Sequence, residues 1–303
     1  MKLIQSDRLV RQPLTGMAGL VGLAWLSVTA VVAASQCTLI FKPERVKEVD
    51  HPHSIGHRTR SVVLRSTDGT RLSGWLLTPK APGPHPAVVY FGGRSEEVSW
   101  VARDAGRMFP NMTVLAINYR GYGDSEGIPG ERQIIEDAHV LFDWMAERHH
   151  VNPAKIAVVG RSLGSGVAVQ VAVRRPVAAV VLITPYDSLL AVAKRHFRPV
   201  PSFILKGFVL KHRFDSVKYA PLLSAPTFIV RAASDNVVPA SHTDQLVAKL
   251  TTTLQDETIA GSDHYNIPYL EATQERIAHF LTAKFNEVTA SLAVSTRFDS
   301  HVG

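Results

Sequence analysis

The sequence predicts an α/β domain: a mostly parallel central sheet with helices on both faces, a small helical lid, and an apolar N-terminal transmembrane helix. Three observations carry this reading. Short apolar, β-branched runs alternate with stretches of helical periodicity, as in a sheet buried on both faces. The first two strand-like runs are instead joined by a tight turn, so the sheet opens on an antiparallel hairpin. Ahead of both, thirty consecutive uncharged residues run from Gln12 to Phe41.

Composition narrows the classes. The chain has 303 residues, 46% hydrophobic and 19% charged, which excludes a disordered or low-complexity protein and allows a full core without staples. The single cysteine, Cys37, excludes an intrachain disulfide and a cysteine-rich zinc module. The net charge of +7 is modest for this length, and nucleic acid is not an expected partner.

The elements follow in order. Residues 1–13 are a basic n-region with Lys2, Arg8 and Arg11. Leu14–Ala34, within a segment 14–36, is apolar over a length that spans about 30 Å as a helix, the thickness of a bilayer core. It reads as a membrane anchor or, alternatively, as a cleaved or lipidated signal, and it leans towards a catalytic domain on the extracytoplasmic side. Residues 37–59 read as a linker, in which His51 and His53 lack a third ligand and are solvated. Ser61–Arg65 and Leu72–Leu77 form the hairpin across Asp68-Gly69. Ala87–Phe91, Thr113–Asn118, Lys155–Val159, Ala178–Thr184, Thr227–Val230 and Glu257–Ile259 are the further strands. Helices are expected over Val98–Met108, Glu131–His149 and Leu163–Arg175, with a last one marked by Ile277, Phe280 and Leu281. The domain is set at 60–286 with a lid at about 186–222 and a flexible tail at 287–303.

The chemistry is concentrated in Gly160-Arg161-Ser162-Leu163-Gly164. A GxSxG alone is a weak signal, but here it follows an apolar strand and opens a helix, the strand–turn–helix setting that exposes a serine on a tight elbow. The flanking glycines are required because side chains there would collide in so sharp a turn. A serine hydroxyl is a poor nucleophile without a base. Asp235 follows the strand Thr227–Val230 and His264 follows the strand ending at Ile259, so Ser162, Asp235 and His264 fall on loops at one edge of the sheet. Asp263 competes for the acid role, but as the immediate neighbour of His264 it reaches Nδ1 only awkwardly. No HExxH, cysteine pair or P-loop occurs, and Gly121-x-Gly123 carries its third glycine one place too late for a dinucleotide fingerprint, so no cofactor or metal is expected.

The chain resembles the α/β-hydrolase superfamily, in particular its membrane-tethered abhydrolase-domain branch with a small lid. The resemblance covers about residues 37–285. It rests on Phe41-Lys42-Pro43, Asp68-Gly69 with Leu72-x-Gly74-Trp75, the run Asn118–Gly127, the elbow, Asp235-x-x-Val238-Pro239 and Gly261-x-x-His264. It implies a serine hydrolase of acyl esters, lipids or thioesters with the triad Ser162, Asp235 and His264, and an oxyanion hole of Leu163 N–H with Arg94 N–H, Gly93 being the alternative. Lipases, thioesterases and peptidases share this machinery. The family pattern His-Gly-Asn is replaced here by Phe91-Gly92-Gly93-Arg94, and Ala232 stands where glycine is common. The altered loop gives the alternative of a non-catalytic, membrane-tethered scaffold its support.

Within the lid, Leu190–Ala220 holds Lys194, Arg195, Arg198, Lys206, Lys211, Arg213 and Lys218 against Asp215, a net +6, interleaved with Phe197, Phe203, Phe208 and Phe214. Cations beside large apolar side chains suit an anionic bilayer surface. The partners expected are therefore an acyl-ester or lipid substrate and a membrane. The competing reading packs these phenylalanines into the core.

Overall fold

Both faces of the central sheet are apolar, so successive residues of each strand enter two different cores. The computed structural model describes residues 19, 22, 27, 40–44, 52–196 and 212–299. The strands are β1 His57–Arg65, β2 Arg71–Pro79, β3 His85–Phe91, β4 Thr113–Ile117, β5 Val151–Arg161, β6 Ala179–Ile183, β7 Thr227–Ser234 and β8 Leu254–Asp263. They form one eight-stranded sheet in the order β1-β2-β4-β3-β5-β6-β7-β8. β1 pairs antiparallel with β2, and β2 antiparallel with β4; every later pair is parallel.

The helices are α1 Ser99–Met108, α2 Glu131–Ala146, α3 Leu163–Ala172, α4 Leu189–His196, α5 Ser216–Tyr219, α6 Ala240–Val247 and α7 Glu271–Asp299. Val89 and Phe91 of β3, with Ile156 and Val158 of β5, meet α2 and α3 through Ile134, Leu141, Val167 and Val171. The residues between them, Val88, Tyr90, Ala157 and Val159, face α1 and α7 through Trp100, Val101, Ile277 and Leu281. Fully burying each such side chain contributes about 1.5–3 kcal/mol, which is why the central strands read as unbroken apolar runs.

The expected α/β architecture is present, and its edges differ in detail. β1 begins at His57, whose Nε2 lies 2.9 Å from the Met112 carbonyl oxygen. α7 continues past residue 286 through Asp299, since neither glycine nor proline interrupts 271–299 and an established helix propagates at little cost. Of the lid, α4, α5 and the single 3₁₀ turn Ala220–Leu222 are described, and 197–211 lie outside the described residues. Phe214 is a core residue with no exposure, 6.2 Å from Phe41 ring to ring, which corrects its assignment to a surface-facing set. The apolar segment Leu14–Ala34 lies outside the described residues apart from Gly19, Gly22 and Ser27. Among the described residues no helix is long and apolar enough to cross a membrane.

Candidate active site

The elbow forms because two turns of backbone approach more closely than any side chain allows. A Cβ on Gly160 would stand 2.2 Å from the Gly164 carbonyl oxygen, and one on Gly164 only 2.0 Å from that of Phe91. The turn puts Ser162 at φ 49° and ψ −114°, a sparsely populated conformation of the kind that costs about 1–3 kcal/mol. It is held by a bond from Ser162 N–H to the Ile183 carbonyl at 2.9 Å and by Ser165 N–H and Oγ bonding the Ser162 carbonyl at 2.9 and 2.6 Å. Gly164→Ala is therefore expected to lower the melting temperature and to abolish ester hydrolysis, since the obstructing atom is backbone and overpacking alone costs about 1–3 kcal/mol; thermal unfolding and an esterase assay check both.

The three chemically suited side chains meet at the carboxyl edge of the sheet. His264 Nε2 lies 3.0 Å from Ser162 Oγ, and His264 Nδ1 lies 2.8 Å from Asp235 Oδ2. The His264 and Asp235 side chains are each only 7% exposed, so their interaction is shielded from solvent. Asp235 is fixed in turn by the Val237 and Val238 N–H groups, which donate to its Oδ1 at 2.9 and 2.7 Å. Asp263 is turned elsewhere: its Oδ1 accepts the Asn266 and Tyr265 N–H groups, both at 2.8 Å, and these bonds hold its carboxyl below the usual carboxylate range.

Leu163 follows Ser162 in the elbow, and the loop Gly92–Arg94 passes beside it. Leu163 is the first residue of α3, so its N–H has no intrahelical acceptor. Gly93 lies against the elbow, its Cβ position 3.8 Å from Ser162 Cβ, but its N–H donates to Glu96 Oε2 at 2.8 Å. The Arg94 N–H has no partner among the described residues. The loop is braced by Tyr119 Oη donating to the Gly92 carbonyl at 2.9 Å, and by Lys42 N–H and Tyr122 Oη donating to the Arg94 carbonyl.

Glu96 and Arg161 went unseen as partners in the sequence, for they stand 65 positions apart. Glu96 is buried and accepts four bonds: Tyr90 Oη at 2.7 Å and Trp100 Nε1 at 2.8 Å on Oε1, Gly93 N–H and Arg161 Nη1 both at 2.8 Å on Oε2. Arg161 Nη2 reaches on to the carbonyls of His264 and Tyr265 at 3.1 and 3.3 Å. In the sequence Glu96 stands three residues past Gly92-Gly93, with Tyr90 before the pair and Trp100 four residues further on, a pattern with no recognisable motif.

Comparison with known proteins agrees with this architecture. A family model described as serine aminopeptidase, S33 (Hydrolase_4) matches residues 82–213. An uncharacterized protein of Mycobacterium tuberculosis, Rv2307c, is 32% identical over 269 residues, covering 88% of this chain and 94% of its own. The chain belongs to the α/β-hydrolase superfamily. The α/β-hydrolase domain-containing protein WAV2 of Arabidopsis thaliana is 28% identical over 201 residues, covering 61% of this chain and 65% of its own. Among solved structures, an acetyl xylan esterase from Paenibacillus sp. R4 superposes with a TM-score of 0.61 at 21% identity, over 86% of this chain and 93% of its own. The Pyrococcus furiosus esterase Pf2001 gives 0.63 at 17%, over 80% and 97%. At these identities the two structures speak for the fold.

Proposed function

We propose that this α/β-hydrolase is a serine esterase that cleaves acyl esters through an acyl-enzyme on Ser162. The observation that carries the reading is the unbroken chain of contacts from Ser162 Oγ through His264 to the buried Asp235. His264 Nε2 takes the proton of Ser162 Oγ as the oxygen attacks the ester carbonyl, and Asp235 holds Nδ1–H and balances the imidazolium. The tetrahedral oxyanion accepts bonds from the N–H groups of Leu163 and Arg94. His264 then returns the proton to the departing alkoxide, draws one from water, and the resulting hydroxide releases the carboxylic acid and restores Ser162. No step calls on a cofactor.

A lipid-like, membrane-resident substrate is the class that the surroundings favour. Phe41 is fully buried, 5.2 Å from the His212 ring, and Lys42 N–H bonds the carbonyl of Arg94 in the oxyanion loop at 3.2 Å. Seven residues lie between Ala34 and Lys42, a reach of at most about 29 Å over eight steps of about 3.6 Å. A bilayer anchor at 14–34 thus keeps the site close to the membrane surface, with the domain on the extracytoplasmic side. Arg195 and Lys218 of the lid are exposed and available to anionic headgroups.

The purified chain is expected to hydrolyse p-nitrophenyl acetate and to be irreversibly inhibited by a fluorophosphonate; silence in both assays favours a non-catalytic scaffold. Vesicle binding checks the membrane contact. Full-length chain with Lys194, Arg195 and Arg198 changed to Glu should lose activity on esters in anionic vesicles while keeping it on a soluble ester, and equal activity in both formats would remove the lid from substrate delivery. The peptidase reading favoured by the family model is checked with aminoacyl p-nitroanilides, on which turnover matching that on esters would replace the esterase assignment.

A further inference from the structure

We infer that Glu96 is a positioning residue that selects the oxyanion donor of the loop and, through Arg161, ties that loop to the one carrying the base. The inference rests on the esterase reading and concerns the same site. Three pieces of chain separated in sequence must keep a fixed spacing for that chemistry: the loop Gly92–Arg94, the elbow at Ser162 and the loop at His264. Glu96 and Arg161 are the groups that touch all three.

On one side, Glu96 Oε2 takes the Gly93 N–H at 2.8 Å, which withdraws that amide from the oxyanion and leaves the next one, Arg94 N–H, to be presented beside Leu163 N–H. On the other, Oε2 accepts Arg161 Nη1, and Nη2 of the same guanidinium holds the His264 carbonyl at 3.1 Å. Tyr90 Oη and Trp100 Nε1 fix Oε1, so the carboxylate has no freedom to rotate away. The pair is buried, with the Arg161 side chain 10% exposed and that of Glu96 4%. Burial by itself favours a neutral guanidine and is the largest single influence, but the Glu96 charge and hydrogen bond together with Tyr90 and Tyr269 offset it, so the Arg161 pKa lies above its ordinary value. Phe91 stands where the family places histidine and is a core residue, and Glu96 joins Tyr119, Tyr122 and the Lys42 N–H in the polar anchoring of this loop.

The full-length chain in detergent supplies the test, using p-nitrophenyl acetate turnover and affinity for a trifluoromethyl ketone, whose serine-bound hemiketal presents a tetrahedral oxyanion. Glu96→Ala is expected to lower kcat about 100-fold and to weaken ketone binding by a similar factor while KM stays within about threefold, the pattern of a lost oxyanion contact. Glu96→Gln retains an oxygen for the Gly93 N–H and is expected to recover at least about tenfold of that loss. Should Glu96→Ala not fold, the double change Glu96→Gln with Arg161→Met, which leaves no unpaired buried charge, is read in its place and should show the weakened ketone affinity. An unchanged or increased kcat in Glu96→Ala, meaning that Gly93 N–H is the donor, overturns the inference. So does a fall in kcat, or a weakened double variant, whose ketone affinity is intact, because that is the mark of a structural role alone. An inert wild type overturns the esterase reading as well, whereas an active wild type with an unaffected Glu96→Ala overturns only this inference.

Discussion

Ser162→Ala is expected to lower kcat on a short p-nitrophenyl ester by about 10⁴- to 10⁶-fold with little change in melting temperature, because removing the nucleophile leaves only binding and the oxyanion hole. The Oγ atom takes no part in holding the elbow, whose bonds run through the Ser162 backbone. Asp235→Asn tests a different step. The Val237 and Val238 N–H groups would keep the amide oxygen of the variant where Oδ1 now stands, turning the amide NH₂ towards His264. The imidazole must then offer a lone pair at Nδ1 and carry its proton on Nε2, where it cannot accept one from Ser162. A loss of about 10⁴-fold in kcat follows, with KM little altered. Steady-state kinetics on the two variants separates these effects, and a Ser162→Ala protein that retains more than about a hundredth of wild-type kcat would place the nucleophile elsewhere.

The second large effect is on stability. Arg120, in the loop after β4, is buried and donates through Nε and Nη2 to Asp137 of α2 at 2.6 and 2.8 Å, and through Nη1 to Asp68 of the β1–β2 turn at 2.6 Å. Ser66 Oγ also donates to Asp137. The bond to Asp137 comes first among the causes that raise the Arg120 pKa above its usual range, so the guanidinium is charged at every accessible pH. Asp137→Ala would remove the buried partner and leave that charge only the exposed Asp68, a loss of about 3–5 kcal/mol, or roughly 6–20 °C in melting temperature for a domain of this size. Asp68 is exposed and contributes less. The Arg120 bond depresses its pKa, so its contribution is present above the unfolded carboxylate range and is lost as pH falls through the folded value. Differential scanning calorimetry decides the matter; an Asp137→Ala shift below about 2 °C would mean that the network is dispensable.

Some of this was legible in the residues and some was not, for physical reasons. The central strands announced themselves because both faces are buried, as in Val88-Val89-Tyr90-Phe91 and Val180-Val181-Leu182-Ile183. β8 lies at the sheet edge with half its residues exposed, and only its centre, Glu257–Ile259, read as a strand. α6 was missed because the face it buries includes His242 and Thr243, whose partners are Asp187 and the Pro185 carbonyl rather than an apolar core. The linker reading of 37–59 hid the docking of Phe41, a contact with Phe214 that no local pattern encodes. Ser162, Asp235 and His264 stood out because the elbow pattern and the loop positions constrain them locally. The Glu96–Arg161 pair is fixed only by the tertiary approach of a loop to the end of β5, so it became visible only with the fold.

The central claim is that Ser162 is the nucleophile of an ester hydrolase, and covalent mapping tests it most directly. The purified wild-type chain is treated with a fluorophosphonate, digested, and its peptides are read by tandem mass spectrometry. The account predicts one stoichiometric adduct on the peptide holding Gly160-Arg161-Ser162-Leu163-Gly164, localised to Ser162 and absent from His264→Ala treated in parallel. An adduct on any other serine, or a fully active chain that takes up no label, would contradict it.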